Sequence, residues 1–599
     1  MNLRLNTGIV ACLIVAAALA PAAPAQAQIP SAKTQIPPAK AANPPAKAQK
    51  PPAKAANPLY VDQCTDWEGK KFAVDARIDG CTRTIGSGKY QGKNLAWAYD
   101  NRGLAYKNKG DLDLAIADYN QALALDPKLA AAYLNRGVAY YGKGDTDRAL
   151  AEFNQAIALD PKLVSGYNDR CAVYRAKRDL DRAIADCSQA LTLDPKHAQA
   201  YYNRGNVYAD KGDRDRAIAD YSQAIALNPN YAQAYNNRGN KYSDKGDQDH
   251  AIADFNQAIA LDPKYALAYN NRGYAYVRKG DPDRAIADFT QAIALNPKYA
   301  LAYINRGNLY RDRKDYDRAI PDYEEAIRLD AKSALAYANR GEAYLYKRDY
   351  ERAIADYDEA IRLDPKYVLA YKRRGSAHRY HAGPTPAQRD MSEVDRAVAD
   401  YTEAIRLDPN DGQAYWGRAL AYDERGDRDS AIADNTVAIR LVPKDVSPVI
   451  NRGDVYITKG DIQHALEDFN KALDMCKQDL CSDQGWTEAY AGRCLGRAIA
   501  AGDLDGALAD CAEALRHKPT NGDAFNHRAL IKFKRGSFPQ ALADYDAALA
   551  QNAKDADSLY GRGLAKLRNG DAAGGNADIA AAKTIDGGVV EAFARYGVK

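Results

Sequence analysis

Apolar and small residues recur along this chain at two alternating helical spacings. Tyr201, Gly205 and Tyr208 stand four and three apart and share one face of a helix. Lys211-Gly212-Asp213 interrupts that helix, with a glycine suited to a left-handed end. Ala217, Ile218, Tyr221, Ala224, Ile225 and Leu227 then predict a second helix, which stops at Asn228-Pro229. Sister segments carry Asp-Pro there, read as an N-cap followed by proline at the first position of the next helix. Arg178, Lys314 and Arg348 replace the turn glycine, at a modest local cost.

This two-helix unit returns every 34 residues, and fourteen copies run from Asn94 to about Asp586. An Asn-Arg-Gly triplet marks most of them. A fixed period of this length means one supersecondary unit stacked many times, each burying its apolar face against its neighbours. The expected fold is an all-α superhelical solenoid of helix-turn-helix repeats.

The period also sets the boundaries. Residues 1–27 read as an export signal: Arg4, an apolar run from Ile9 to Ala20, and small residues at Ala25 and Ala27 for cleavage. That run is too short to span a bilayer. Residues 28–58 form a Pro/Ala/Lys-rich spacer with three P-P-A-K segments, which favours extended polyproline-II structure. Its lysines offer weak contact with an anionic envelope surface. Residues 59–93 read as a degenerate cysteine-containing hairpin. The array then covers 94–377, 395–475 and 488–586, interrupted by loop insertions at 378–394 and 476–487. A cap helix over 587–599 is expected to cover the open end.

A net charge of +4, with acids and bases alternating inside each repeat, offers no concentrated surface for nucleic acid. Removing the signal takes away Cys12 and leaves eight cysteines, an even number suited to an oxidising compartment. Cys171 and Cys187 replace the small first-helix residue and the second-helix aromatic of one repeat. Cys494 and Cys511, and Cys64 and Cys81, take the same two places elsewhere. The expected disulfides are Cys64–Cys81, Cys171–Cys187 and Cys494–Cys511, with Cys476 and Cys481 pairing inside their insertion. The protein is thus expected to be exported, either periplasmic or secreted.

The small-residue and aromatic pattern, Gly205, Tyr208, Ala217, Tyr221, Ala224 and Pro229, resembles the tetratricopeptide repeat. Arg stands where that family usually has Leu, just before the Gly. The resemblance implies antiparallel helix pairs in a right-handed superhelix, with the first helices lining a concave groove.

Arg102, Arg204 and Arg306 lie sixteen residues before Asp118, Asp220 and Asp322, and read as structural ion pairs. The preceding Asn does not follow from its own helix. At 100° per residue Asn203 points away from Tyr201, Gly205 and Tyr208. The row comprises Asn101, Asn135, Asn203, Asn237, Asn271, Asn305, Asn339 and Asn451. An amide both donates and accepts, so it can hold a peptide backbone. The row resembles the asparagine ladder of O-linked N-acetylglucosamine transferase and the groove asparagines of chaperone-binding modules. Bonding to neighbouring helices and recent duplication are the competing explanations. Tyr202, Asn206, Asn240, Tyr274, Asn308 and Arg311 are the expected selectivity positions.

His378 and His381 have no third ligand at helical spacing, so no metal site is expected. Phosphate loops, nucleophile elbows and zinc-binding helices are absent, and no cofactor is implied. The expected role is a non-catalytic scaffold that binds extended protein segments in its groove. The alternative is an envelope-assembly protein that uses the convex face or the loops.

Overall fold

The structure is a computed structural model and describes residues 58–598, apart from 67, 384–387 and 501. The export signal and nearly all of the spacer lie outside the described residues. A short hairpin, Pro58–Thr65 and Val74–Gly86, precedes twenty-eight helices that form fourteen pairs between Ala96 and Ile585. One further helix, Val589–Arg595, follows them. Packing divides the chain into two compact units, one ending at Arg306 and the other beginning at Gly307.

Within each unit helices pack on their hairpin partners and on the next repeat. The first helices of successive repeats also touch, whereas second helices pack chiefly on first helices. The first helices therefore crowd one side of the stack, and the second helices fan out on the other.

Glycine explains the closeness of each pair. A Cβ on Gly205 would lie 2.8 Å from the Tyr221 ring, and one on Gly137 would lie 2.6 Å from Phe153. The aromatic ring fills the space the glycine leaves open, and Tyr221 and Phe153 are buried. In the last repeat Ile579 takes the place of the aromatic ring, its Cγ1 2.7 Å from where a Cβ on Gly563 would lie, and the Gly575 carbonyl oxygen lies 2.8 Å from the same point.

The turn residues Arg178, Lys314 and Arg348 have φ of 63°, 62° and 63°, the left-handed conformation that Gly144, Gly212 and Gly246 take elsewhere. The Asp-Pro reading is corrected. Asp262 ends a second helix, and its carboxylate accepts from the Lys264 N–H at 3.0 Å. The next helix starts only at Ala266, behind Tyr265. The aspartate therefore closes an Asx turn between the helices and does not cap the second of them.

Both insertions are shorter than their sequence boundaries. The helix Val368–His381 runs through His378, and the next begins at Met391. Asp483–Ala500 takes in Trp486, so that excursion is confined to residues 477–482.

All four cysteine pairs, Cys64–Cys81, Cys171–Cys187, Cys476–Cys481 and Cys494–Cys511, lie at bonding distance. The recurrent arginine forms a two-pronged pair with its acid. Arg204 Nε and Nη2 donate to Asp220 at 2.8 Å each, while Nη1 donates to Ser188 of the preceding repeat at 3.2 Å. Arg102–Asp118, Arg238–Asp254 and Arg272–Asp288 repeat that fork. At the turns, exposed pairs such as Lys211–Asp181 and Lys245–Asp215 also link successive repeats, and add little to stability.

Candidate functional site

The asparagine row lies at the seam between successive first helices. Asn101, Asn135 and Asn339 are buried, and Asn203, Asn237, Asn271, Asn305 and Asn451 are half-buried. This corrects the expectation of an outward-facing row, because the neighbouring first helix covers the face that points away from the asparagine's own hairpin.

Five of the eight amide nitrogens reach back one repeat, while those of Asn101 and Asn339 are buried with no partner among the described residues. Asn135 Nδ2 donates to Asp100 at 3.0 Å, Asn203 to Asn168 at 2.9 Å, Asn271 to Asn236 at 2.9 Å and Asn305 to Asn270 at 3.0 Å. Asn237 donates to the Tyr202 hydroxyl at 3.1 Å and to Asn206 Oδ1 at 2.9 Å. Asn451 accepts from Asn435 at 2.8 Å. For Asn135, Asn203, Asn237, Asn271 and Asn305 an acceptor (Asp100, Asn168, Tyr202, Asn236, Asn270) stands immediately before the asparagine position of the preceding repeat, where residue type varies. Comparing residues at the exact period therefore misses the pair, and an offset of 35 finds it.

Burial pushes the Asp100 carboxyl up to about 6 from 3.8. The folded chain thus holds that proton more tightly than the unfolded chain does. The benefit is complete below about pH 4, falls as pH rises towards 6, and is gone above it. Asn168, Asn236 and Asn270 accept the same bond without a charge. Asp100→Asn is therefore expected to stabilise the first repeats by about 3 kcal/mol above pH 6 and by little at pH 4. Hydrogen exchange in Ala96–Leu125 at the two pH values checks this.

A second polar position separates structural groups from uncommitted ones. Asn206 Oδ1 accepts from the Tyr221 hydroxyl at 2.8 Å, and Asn308 Oδ1 from that of Tyr323 at 2.8 Å. Ser376 and Tyr401 form the equivalent bond at 2.9 Å. Where that first-helix position holds Leu104 or Leu530, the facing hydroxyls of Tyr119 and Tyr545 are buried without a partner among the described residues. Tyr119→Phe and Tyr545→Phe are each expected to raise stability by about 1 kcal/mol, by removing an unsatisfied buried group. Tyr221→Phe, which removes the hydroxyl that donates to Asn206 Oδ1, is expected to lower it. Denaturant midpoints of the three variants give the comparison.

In repeats five and six the facing aromatics are Phe255 and Phe289, which ask for no acceptor. Asn240 and Tyr274 there are half-buried and make no side-chain hydrogen bond among the described residues. Asn271 beside them donates one N–H to Asn236 and carries a second, whereas both N–H groups of Asn237 are taken by Tyr202 and Asn206. Arg311, by contrast, is committed: it pairs with Glu342 at 2.7 Å, and Arg373 holds the other carboxylate oxygen at 2.9 Å. Burial pushes Glu342 up, but Arg373 and Arg311 outweigh it and hold the carboxyl below its ordinary value.

His378 is buried against Glu393, with Nδ1 and Oε2 2.5 Å apart, and docks the helix Met391–Leu407. Among the described residues no group of three or more His, Cys, Asp and Glu side chains is placed to hold a metal. Nor is any described helix long and apolar enough to cross a membrane.

Family models of the TPR repeat match residues 103–144, 172–212, 239–280 and 529–570. Tetratricopeptide repeat models match 270–334 and 386–446, 198–231 and 334–367, 130–163, 221–253, and 449–479. Together they span well over half of the chain. No curated protein matches it. Among solved structures, a tetratricopeptide repeat protein from Parabacteroides merdae is 21% identical over 41% of this chain and 98% of its own, with a TM-score of 0.35. MamA is 31% identical over 28% and 96%, with a TM-score of 0.26. YrrB, described as a TPR protein with an unusual peptide-binding site, is 25% identical over 31% and 95%, with a TM-score of 0.27.

Proposed function

The chain belongs to the tetratricopeptide repeat family, and we propose that it captures extended protein segments on its first-helix face in an extracytoplasmic compartment. Proteins of this family are generally non-catalytic scaffolds, and the array is a protein–protein interaction scaffold.

The observation that carries the finer reading is the uncommitted run on repeats five and six. Asn240 and Tyr274 have hydrogen-bonding capacity that the fold does not use. Asn271 is held in one orientation by its bond to the preceding repeat, so a ligand meets an amide that is already ordered. Pre-ordering reduces the entropy lost on binding. The amides take main-chain groups of the segment, and Tyr274 supplies an aromatic surface beside them.

An N-terminal sequence that reads as an export signal, together with the four cysteine pairs, supports the extracytoplasmic placement. For the binding face, a peptide selected from a displayed library serves as the probe. Asn240→Ala with Tyr274→Phe is expected to weaken its binding by about tenfold or more, the loss of one to two hydrogen bonds. Unchanged affinity in a folded double variant would sink the reading.

A further inference from the structure

The C-terminal helix is more than a lid on the last hairpin. Val589, Ala592, Phe593 and Tyr596 stand at i, i+3, i+4 and i+7, and all are buried. Glu591 and Arg595 on the other side are exposed. The helix packs on both helices of repeat fourteen. Phe593 meets the Tyr560 ring edge-on at 4.9 Å. Tyr560 holds the seam position that Tyr202, Asn236 and Asn270 hold in their own repeats. The tail then passes over repeat fourteen towards repeat thirteen. A Cβ on Gly597 would lie 3.7 Å from Lys534 Nζ, and that ammonium donates to the Ala498 carbonyl of repeat twelve at 2.7 Å. Phe533 and Leu564, on the first helices of these repeats, share the same apolar cluster.

We infer that residues 589–598 are a tethered ligand, and that the end of repeat fourteen formed by its two helices, with Lys534 of repeat thirteen at its edge, is a receptor for a short amphipathic helix with this apolar spacing. The receptor's occupant in the resting chain is its own C-terminal segment. An outside helix of the same pattern must displace it. The tether is short and permissive: Gly587 and Gly588 join the segment to the last repeat, and a Cβ on Gly587 would meet nothing within 4 Å. This inference uses different residues from the Asn240–Tyr274 face and stands or falls separately.

The probe is a labelled synthetic peptide of residues 586–599. It is titrated by fluorescence anisotropy against the full chain, a chain ending at Gly588, and a full-length Phe593→Ala/Tyr596→Ala variant. The truncated chain is expected to bind it, and the full chain about tenfold or more weakly, because the tethered copy competes at millimolar effective concentration. The full-length variant, with its latch loosened, is expected to fall between. A Phe593→Ala peptide is expected to bind none of them. Equal affinity for full and truncated chains, or no binding to a truncated chain, overturns the inference. So does loss of hydrogen-exchange protection through Gly522–Ile585 on truncation, since the segment would then be a required part of the fold.

Discussion

Arg204→Ala is expected to destabilise the fourth repeat by about 3–5 kcal/mol, the cost of leaving a buried charge without its partner. Asp220 is only 6% exposed, and Arg204 donates to both of its carboxylate oxygens at 2.8 Å. The same guanidinium lies over the Tyr201 ring at 5.6 Å and ties the hairpin to Ser188 of the repeat before. One truncation therefore loosens an intra-repeat and an inter-repeat contact. Asp220→Ala alone is also expected to be costly, whereas Arg204→Leu with Asp220→Ala should recover most of the loss, since an apolar pair needs no compensation. Hydrogen exchange in Ala198–Leu227 reads the effect locally, which matters because a stacked array need not unfold in one step. A single-variant cost below about 1 kcal/mol would place the pair with ordinary surface bridges.

The second large effect concerns Cys171 and Cys187. In repeats on either side the first-helix position is Gly and the second-helix position is aromatic, and a Cβ on the glycine would sit 2.6 to 2.8 Å from the ring. The cysteine pair is a different solution to the same volume. Cys187→Tyr alone puts a ring against the Cys171 side chain. It is expected to cost about 3 kcal/mol for the lost cross-link plus 1–3 kcal/mol for overpacking. Cys171→Gly with Cys187→Tyr restores the arrangement of Gly205 and Tyr221, and is expected to be more stable than the single variant despite having two changes. Thermal unfolding of both variants settles the order, and a double variant less stable than the single would contradict the shared-volume account. Non-reducing mass spectrometry of protein recovered from intact cells should show the cross-link itself. Free thiols there would count against export.

Much of the fold was legible in the sequence because its determinants repeat at the exact period. Gly205 with Tyr221, Arg204 with Asp220, and Cys171 with Cys187 are separated by sixteen residues within a repeat, and copies of each pair align. The asparagine row was legible as a pattern but not as a role. Its acceptors, such as Asn168 and Asn236, sit one position off the period and vary in type. Helical-wheel reasoning on one helix cannot see the neighbour that buries the opposite face. The division between Asn206 and Asn240 had a readable signal, the change from Tyr221 to Phe255, but it becomes meaningful only when the hydroxyl is seen to reach across the hairpin. The Asp-Pro ends were misread because an aspartate that closes an Asx turn and one that caps a helix have the same local sequence.

The central claim is that segments are taken by the first-helix face at repeats five and six. Site-specific photocrosslinking tests it most directly, with a photoreactive residue at Asn240 and, as control, at Gln257, which is exposed on the second helix of repeat five. The library-selected peptide is the probe. The account predicts a crosslink from position 240, competed by excess unlabelled peptide, and none from position 257. A crosslink from 257 without one from 240 would contradict it and assign binding to the opposite face.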